Sequence, residues 1–127
     1  MQLTEHTPGD HHFIRSVTPQ SVQINEDIHH TSVILGARLL ISDWSVRSLG
    51  DLSEQTIVPL IEHSPEVVVL GAGTQQAFPS TDILRLFLSE HIGVECMTLD
   101  AACRTFNVLM SENRRALLGL ILPGSNQ

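Results

Sequence analysis

Apolar residues in the first third of the chain occur in short runs separated by polar and turn-forming residues. Four such runs lie at residues 13–17, 22–24, 33–35 and 39–41. Thr18-Pro19 and Gly36-Ala37 interrupt the pattern, and turn residues between short β-rich runs are typical of strands. We therefore predict a set of antiparallel strands in this part of the chain.

The next apolar pattern is helical. Ile57 and Leu60 have helical spacing, and Ser53 can cap a helix that follows it. Pro59 complicates this prediction because proline inside a helix removes a hydrogen bond and clashes with the preceding turn. The helix therefore either begins near Thr56, with Pro59 in its first turn, or is kinked.

Strands and helices alternate from residue 66 onward. Residues 67–70 form a continuous apolar run, as expected for a strand that is covered on both faces. A loop at residues 71–76 follows, and then a helix that begins near Ser80 or Thr81 and ends at Gly93. The apolar residues of this helix have the spacing of one buried face: Ile83, Leu84, Phe87 and Leu88.

The last part of the chain continues the alternation. We predict a strand at residues 94–98, a helix at residues 101–112 and a final strand at residues 116–122. Asp100 can cap the helix and Asn113 can close it. Such an order is typical of a largely parallel sheet with right-handed crossovers. The predicted fold class is α/β, with a mixed central β-sheet, helices packed on it and an additional N-terminal β portion.

Length and composition fit one domain. The 127 residues are 42% hydrophobic, which provides a packed core without metal or disulfide support. We expect residues 1–10 to be a flexible N-terminal tail and residues 11–127 to be a single α/β domain. The longest apolar runs are far shorter than the roughly 20 residues of a membrane span, so we expect no membrane insertion.

The charge of the chain argues against polyanionic partners. The seven basic residues are all arginines, spread from Arg15 to Arg115, and 14 acidic residues bring the net charge to -7. Nucleic acids and anionic membranes are bound by concentrated basic residues, so neither is an expected partner. The first 20 residues contain Glu5 and Asp10 and match neither a secretory signal nor a transit peptide. We expect a cytoplasmic protein.

The glycine-containing loop after residues 67–70 is the first candidate site. Gly71, Gly73 and Thr74 follow a buried strand and precede a helix, and ligands bind at the carboxyl ends of strands in open α/β sheets. Glycines also let the backbone approach an anion closely. The alternative is a tight turn that requires positive φ angles. Gln76 stands where a dinucleotide-binding motif would have its third glycine.

One side of the predicted helix at residues 101–112 is the second candidate. Arg104 and Asn107 lie one turn apart beside the apolar face, where an arginine could bind a carboxylate or phosphate. The alternative is that they anchor the helix to the rest of the fold. Val108 lies on the far side of the helix, so that side need not be wholly solvated.

No metal or catalytic set is predicted from the remaining candidates. The seven histidines lack the spacing of a metal site, and Cys103 lies on an apolar helix face, where it is expected to be a buried hydrophobic residue. Trp44 either anchors a partner, if exposed, or closes the edge of the core, if buried. We expect no cofactor. The lack of a catalytic motif favours a non-catalytic protein over an enzyme but does not decide between them.

The segment from Gly93 to Leu122 resembles a small, mostly uncharacterised family. Its most specific part is Arg104-Thr105-Phe106-Asn107, and the likeness covers roughly residues 20–122. The family includes the mitochondrial NADH dehydrogenase (complex I) assembly factor 3, the adipogenesis-associated domain protein and many stand-alone bacterial members. It usually has tyrosine in place of Phe106 and glycine in place of Asn113. The resemblance implies a three-layer fold and no established enzyme activity.

The resemblance favours one function and leaves two alternatives. The leading hypothesis is a non-catalytic accessory or assembly-type protein that binds another protein in a bacterial-type cytoplasm. The first alternative is a binder of a small molecule or anion, or a weak enzyme, with a site at residues 71–74, Arg104 and Asn107. The second alternative is that the chain forms a homo-oligomer and not a monomer, with Val108 or Trp44 in the subunit interface.

Overall fold

A computed structural model describes residues 11–124, and the predicted tail at residues 1–10 lies outside the described residues. The described chain contains eight strands, three α-helices and a short 3₁₀ turn at Leu49–Asp51. In chain order the strands and helices are β1 (Ile14–Thr18), β2 (Ser21–Ile24), β3 (Asp27–His29), β4 (Val33–Leu35), β5 (Leu40–Ile41), α1 (Val58–Glu62), β6 (Val67–Ala72), α2 (Thr81–Ser89), β7 (Gly93–Met97), α3 (Leu99–Ser111) and β8 (Ala116–Ile121).

The central sheet has five strands in the order β5-β4-β8-β6-β7. β6 pairs in parallel with both β7 and β8, whereas β4 is antiparallel to β5 and β8. The sheet is therefore mixed, which confirms the α/β prediction. Its parallel part comes from two crossovers, one through α2 and one through α3.

Two apolar cores cover the two faces of this sheet and produce three layers. On one face, β4, β6 and β8 pack against α1, α2 and the segment around Trp44. On the other face, the same strands pack against α3 and the N-terminal sheet. β6 and β8 are buried on both faces by this arrangement, which explains their continuous apolar sequence.

The N-terminal β layer is smaller than predicted. β1, β2 and β3 form a separate antiparallel sheet, and Ile14, Val22 and Ile24 enter the same core as α3. β4 and β5, which belong to the same predicted antiparallel set, instead join the central sheet. Val33, Ile34 and Leu35 are all buried, as a strand within a sheet that is covered on both faces requires.

Each of the three helices has an end that differs from the prediction. α2 ends at Ser89 and not at Gly93, which is the first residue of β7. α1 begins at Val58, two residues after Thr56, and holds Pro59 in its first turn, as the first alternative predicted; the missing amide costs nothing there. Ser53 does not cap it, and its hydroxyl instead accepts a bond from the backbone of Thr56. α3 begins at Leu99, two residues early, because Thr98 rather than Asp100 caps it.

The predicted buried face of α2 is only partly buried. Ile83 and Phe87 lie in the core, as predicted, and Ser80 caps the helix. Leu84 and Leu88, however, are 37% and 72% exposed. The helix contacts β7 at the edge of the sheet, so one side of its apolar stripe has no layer to pack against.

Trp44 closes the core edge and is not an exposed anchor. It is 7% exposed, its indole donates to the Thr56 carbonyl at 2.9 Å, and its ring lies against Gly119. A side chain at position 119 would meet that ring at 3.0 Å. The burial excludes Trp44 from a subunit interface in this fold.

Candidate functional site

Gly71 belongs to β6 and not to the loop in which it was predicted. A Cβ atom there would lie 2.5 Å from the Cβ of Ala102, so glycine permits the close packing of α3 on β6. Gly73 is the residue that turns the chain, because its φ is 68°. The loop therefore begins after Ala72, and only one of the two glycines has a left-handed conformation.

The loop after β6 lies at a topological switch point. The chain leaves β6 toward α2 on one face of the sheet, and it leaves the neighbouring β7 toward α3 on the other face. Crevices form where the connections that follow neighbouring strands leave toward opposite faces of the sheet. A pocket of about 200 Å³ lies here, and we call it the switch-point pocket. Its lining comes from the β1–β2 turn, Gly73, Thr74 and the start of α3.

The switch-point pocket is polar but not basic. Thr18, Thr74, Thr98 and the carboxylate of Asp100 line it, with no arginine or histidine among its lining residues. The amide of Leu99 donates to the Gly73 carbonyl at 2.9 Å, and the Thr98 hydroxyl accepts from the third amide of α3. Asp100 therefore gives the pocket negative charge, which disfavours an anion.

The predicted site residues do not all meet in this pocket. Asn107 faces β1, where its amide nitrogen donates to the Ile14 carbonyl at 2.9 Å and its oxygen accepts from the Ile14 amide at 3.1 Å. Arg104 is exposed and forms no hydrogen bond or ion pair within residues 11–124. Gly73 and Thr74 line the pocket, and Gly71 lies beneath Ala102.

The cysteines are not poised as nucleophiles. Burial, followed by the nearby charge of Asp100, raises the pKa of Cys103 to about 12. Burial also raises the pKa of Cys96 above its ordinary value. Both groups are thus thiols at neutral pH, and nucleophilic attack requires the thiolate. Cys103 is the buried hydrophobic residue that its position on the helix predicts.

Within the described part of the chain, no three His, Cys, Asp or Glu side chains converge as a metal site would require. His12 and His63 use Nδ1 on backbone carbonyls, at 2.9 Å from Gly36 and 2.7 Å from Pro59. None of the described helices is long and apolar enough to cross a membrane.

A group of basic side chains lies at the opposite end of the sheet. Arg38, Arg114, Arg115, His11 and His63 line a pocket of about 460 Å³, which we call the basic pocket. Sequence reasoning missed it because the arginines are far apart in the chain. The adjacent Arg114-Arg115 pair was the only local signal, since the folding of β4 against β8 brings Arg38 to them.

A second feature that sequence reasoning missed is an apolar surface around α2 and β7. It consists of Leu84 and Leu88 on α2 and the outer edge of β7, which α2 contacts, and we call it the α2–β7 surface. Phe78, in the loop before α2, is 70% exposed. Leu84 and Leu88 are one turn apart and share a side of α2. The spacing placed the two leucines correctly on one side of α2, but the prediction that they are buried was wrong.

Comparisons with known proteins agree with the fold. The sequence model of a family described as a protein of unknown function (DUF498/DUF598) matches residues 14–121. A solution NMR structure of a Xanthomonas campestris protein is 38% identical, with a TM-score of 0.84 over 100% of this chain and 96% of that chain. A crystal structure described as an outer membrane protein from Bartonella henselae is 24% identical, with a TM-score of 0.77 over 92% and 98% of the chains. At that identity the likeness shows the fold alone.

Two eukaryotic relatives share the name NADH dehydrogenase [ubiquinone] 1 alpha subcomplex assembly factor 3. The Danio rerio protein is 33% identical over 113 residues, which cover 87% of this chain and 64% of that protein. The Drosophila melanogaster protein is 33% identical over 87 residues, which cover 65% of this chain and 44% of that protein. The matched part is thus less than two thirds of either relative.

Proposed function

Since the chain belongs to the DUF498/DUF598 family of proteins of unknown function, and its relatives include named assembly factors, we propose that it is a non-catalytic accessory protein that binds another protein. The raised pKa values of Cys96 and Cys103 support the absence of a cysteine nucleophile. The proposed binding site is the α2–β7 surface.

The observation that carries the proposal is the exposure of large apolar side chains on α2 and in the loop before it. Leu88 and Phe78 are 72% and 70% exposed, and Leu84 lies one turn from Leu88. Ser80 caps α2, and the buried Ile83 and Phe87 fix the helix to the core, so the fold already holds it in place without a cover over these leucines. Apolar side chains grouped around an otherwise well-formed element are typical of protein interaction sites.

The edge of β7 adds directional groups to this surface. The Gly93 amide donates to Glu66 at 3.1 Å on the β6 side, and alternate residues of a strand turn their amides to the same side. Val94 and Cys96 therefore direct their backbone groups away from the sheet. Gln76 donates to the Cys96 carbonyl at 3.4 Å, which covers only part of the edge. An extended segment of a partner can pair with such an edge.

The charges favour a different protein over a second copy of this chain. Glu95 is exposed in the middle of β7, and two copies paired antiparallel about this residue would place like charges opposite each other. Asp82 and Glu90 are also exposed on and next to α2, against the single Arg85. The chain as a whole carries -7. The proposed partner has an apolar patch with a basic rim.

The finer proposal is a role in assembling a respiratory complex in the cytoplasm. It rests on the names of the two assembly-factor relatives, which this chain matches over 44% and 64% of their lengths. The Leu84→Glu/Leu88→Glu variant is expected to remove the interaction without unfolding the protein, because both side chains are exposed.

The proposal is tested by complementation of a strain that lacks the gene. Assembled NADH dehydrogenase, measured on native gels, is expected to fall in the deletion strain and to return with the wild-type gene but not with the double variant. Val108→Glu is the matched control, because Val108 is 53% exposed on α3, away from the α2–β7 surface. Normal assembly in the deletion strain would contradict the assembly role.

The small-ligand alternative keeps one supporting observation, the switch-point pocket beside Gly73 and Thr74. It proposes a ligand that contacts Gly73, Thr74 and Arg104; Gly71 is covered by Ala102 and the Asn107 amide is bonded to Ile14, so neither is part of the proposed contact set. Because Arg104 has no partner within residues 11–124, Arg104→Gln is expected to weaken such a ligand without a change in stability. NMR titration of wild type and variant with candidate metabolites tests it, and equal shifts in both would exclude Arg104.

A further inference from the structure

The basic pocket lies at the amino ends of β6 and β8, away from the switch-point pocket. Gly36 closes the antiparallel β4, and a side chain there would meet Leu117 at 2.7 Å, so the Ala37-Arg38 segment lies against the start of β8. The residue before this start, Arg115, and the loop residue Pro65 form the adjacent wall. Met110 and Leu117 supply an apolar floor.

The charge of the pocket is opposite to that of the protein. Three of the seven arginines line it, and no aspartate or glutamate is among its lining residues. Glu66 neutralises one of them, because Arg114 donates to its carboxylate at 2.6 and 3.1 Å. Glu112 also lies close enough to raise the pKa of Arg114, after the larger effects of Glu66. Two guanidinium groups, those of Arg38 and Arg115, remain without a carboxylate partner among residues 11–124.

Arg115 and Arg38 differ in whether a hydrogen bond within the protein positions the guanidinium group. The guanidinium of Arg115 donates to the Ser64 carbonyl, which positions it, and it forms no ion pair within residues 11–124, although its charge helps to lower the pKa of the nearby Glu66. Arg38 is exposed and forms no hydrogen bond within the described residues. His63 uses Nδ1 on Pro59, which leaves Nε2 as its remaining polar atom. Planar guanidinium groups bind carboxylates and phosphates through paired hydrogen bonds.

We propose that the basic pocket binds a small organic anion whose carboxylate or phosphate groups contact Arg38 and Arg115 and whose carbon atoms lie on Met110 and Leu117. A volume of about 460 Å³ is within the range of metabolite sites. The pocket is too small and too isolated in an acidic protein for a nucleic acid backbone. This inference is independent of the proposed protein-binding function, since it uses different residues at another part of the fold.

The test is an NMR titration of the whole chain at constant ionic strength, with sodium chloride as the non-specific control. The probes are inorganic phosphate, phenyl phosphate and succinate. At least one probe is expected to shift the backbone amides of Arg38, Arg115 and Ala116 saturably, and phenyl phosphate is expected to bind more tightly than phosphate because of the apolar floor. Saturation by phenyl phosphate or by succinate identifies a phosphate or a carboxylate as the bound group.

Variants decide whether the arginines cause the binding. Arg38→Gln is expected to weaken it at least tenfold and, because Arg38 has no internal partner, to leave the fold unchanged. Arg115→Lys retains the positive charge and is the second variant in case Arg115→Gln does not fold. It is expected to bind the probe more weakly than wild type but more tightly than Arg115→Gln. Arg85→Gln, on α2, is the matched charge control. The proposal is overturned if no probe shifts these amides saturably, or if Arg38→Gln binds as tightly as Arg85→Gln.

Discussion

α2 and α3 are the two crossover helices in the parallel part of one mixed sheet, yet their apolar stripes are buried to different extents. α3 lies over β6 and β8 and is also flanked by β1, so Leu99, Ala102, Cys103, Phe106 and Met110 are all buried. α2 contacts β7 at the sheet edge, and only Ile83 and Phe87 are buried. Both helices are amphipathic, but α3 buries its apolar stripe in the core, whereas α2 keeps part of its stripe exposed and available for a partner.

The largest expected contrast lies between two neighbours on α2. Phe87 has no exposed surface, whereas Leu88 is 72% exposed. We expect Phe87→Ala to cost about 3–5 kcal/mol in the free energy of unfolding, because it leaves a cavity in the core. Leu88→Ala is expected to stay within about 0.5 kcal/mol of wild type. Urea unfolding measures both, and similar losses would show that α2 buries its whole stripe.

The close approach of α3 to β6 gives the next effect. Gly71→Ala is expected to cost about 1–3 kcal/mol, because the new methyl group would lie 2.5 Å from the Cβ of Ala102. Adding Ala102→Gly should recover part of that loss, and the Ala102→Gly single variant completes the double-mutant cycle. Additive losses in urea unfolding would mean that the two positions are not in contact.

The contact of α3 with the N-terminal sheet depends on Asn107. Asn107→Ala is expected to cost about 1–3 kcal/mol, because it leaves the amide and carbonyl of Ile14 without partners. Hydrogen exchange should accelerate in β1 more than in β6. The control is Arg104→Ala, expected to stay within about 0.5 kcal/mol because Arg104 is exposed. Unchanged exchange in β1 would contradict this role of Asn107.

The smallest effect concerns the ion pair beside the turn after α3. Arg114, through a side-chain hydrogen bond, and the backbone of Arg115 lower the pKa of Glu66 below 4.5. A lowered pKa contributes stability that is present above the unfolded value and is lost as the pH falls through the folded value. Glu66→Gln should therefore melt slightly below wild type at pH 7, and the difference should vanish in acid. The same difference at pH 7 and pH 3, measured by circular dichroism, would contradict the pairing.

The sequence was sufficient to predict the strands and helices that have strong local patterns. The run at residues 67–70, the stripe of α3 and the final strand all lie where spacing predicted them. Spacing could not assign β4 and β5 to the central sheet, because partner choice is a long-range property. It likewise identified the stripe on α2 but not the absence of a covering layer over Leu84 and Leu88.

The candidate sites were harder to predict, because they too depend on contacts between residues that are far apart in the sequence. The switch-point rule located a pocket beside Gly73 and Thr74, but Asn107 turned out to bond to β1. The basic pocket depends on arginines that are 77 positions apart, Arg38 and Arg115, and no local pattern brings them together. Charge that is dispersed along a chain can therefore be concentrated by the fold.

The most direct test of protein binding through α2 is site-specific photo-crosslinking in the cells that express the protein. A photoreactive amino acid at Leu88 is expected to capture one heterologous protein, and the same residue at the similarly exposed Val108 is not. The captured protein, once purified, should bind the wild-type chain and fail to bind Leu84→Glu/Leu88→Glu. Equal capture from both positions, or equal binding of the double variant, would contradict the account.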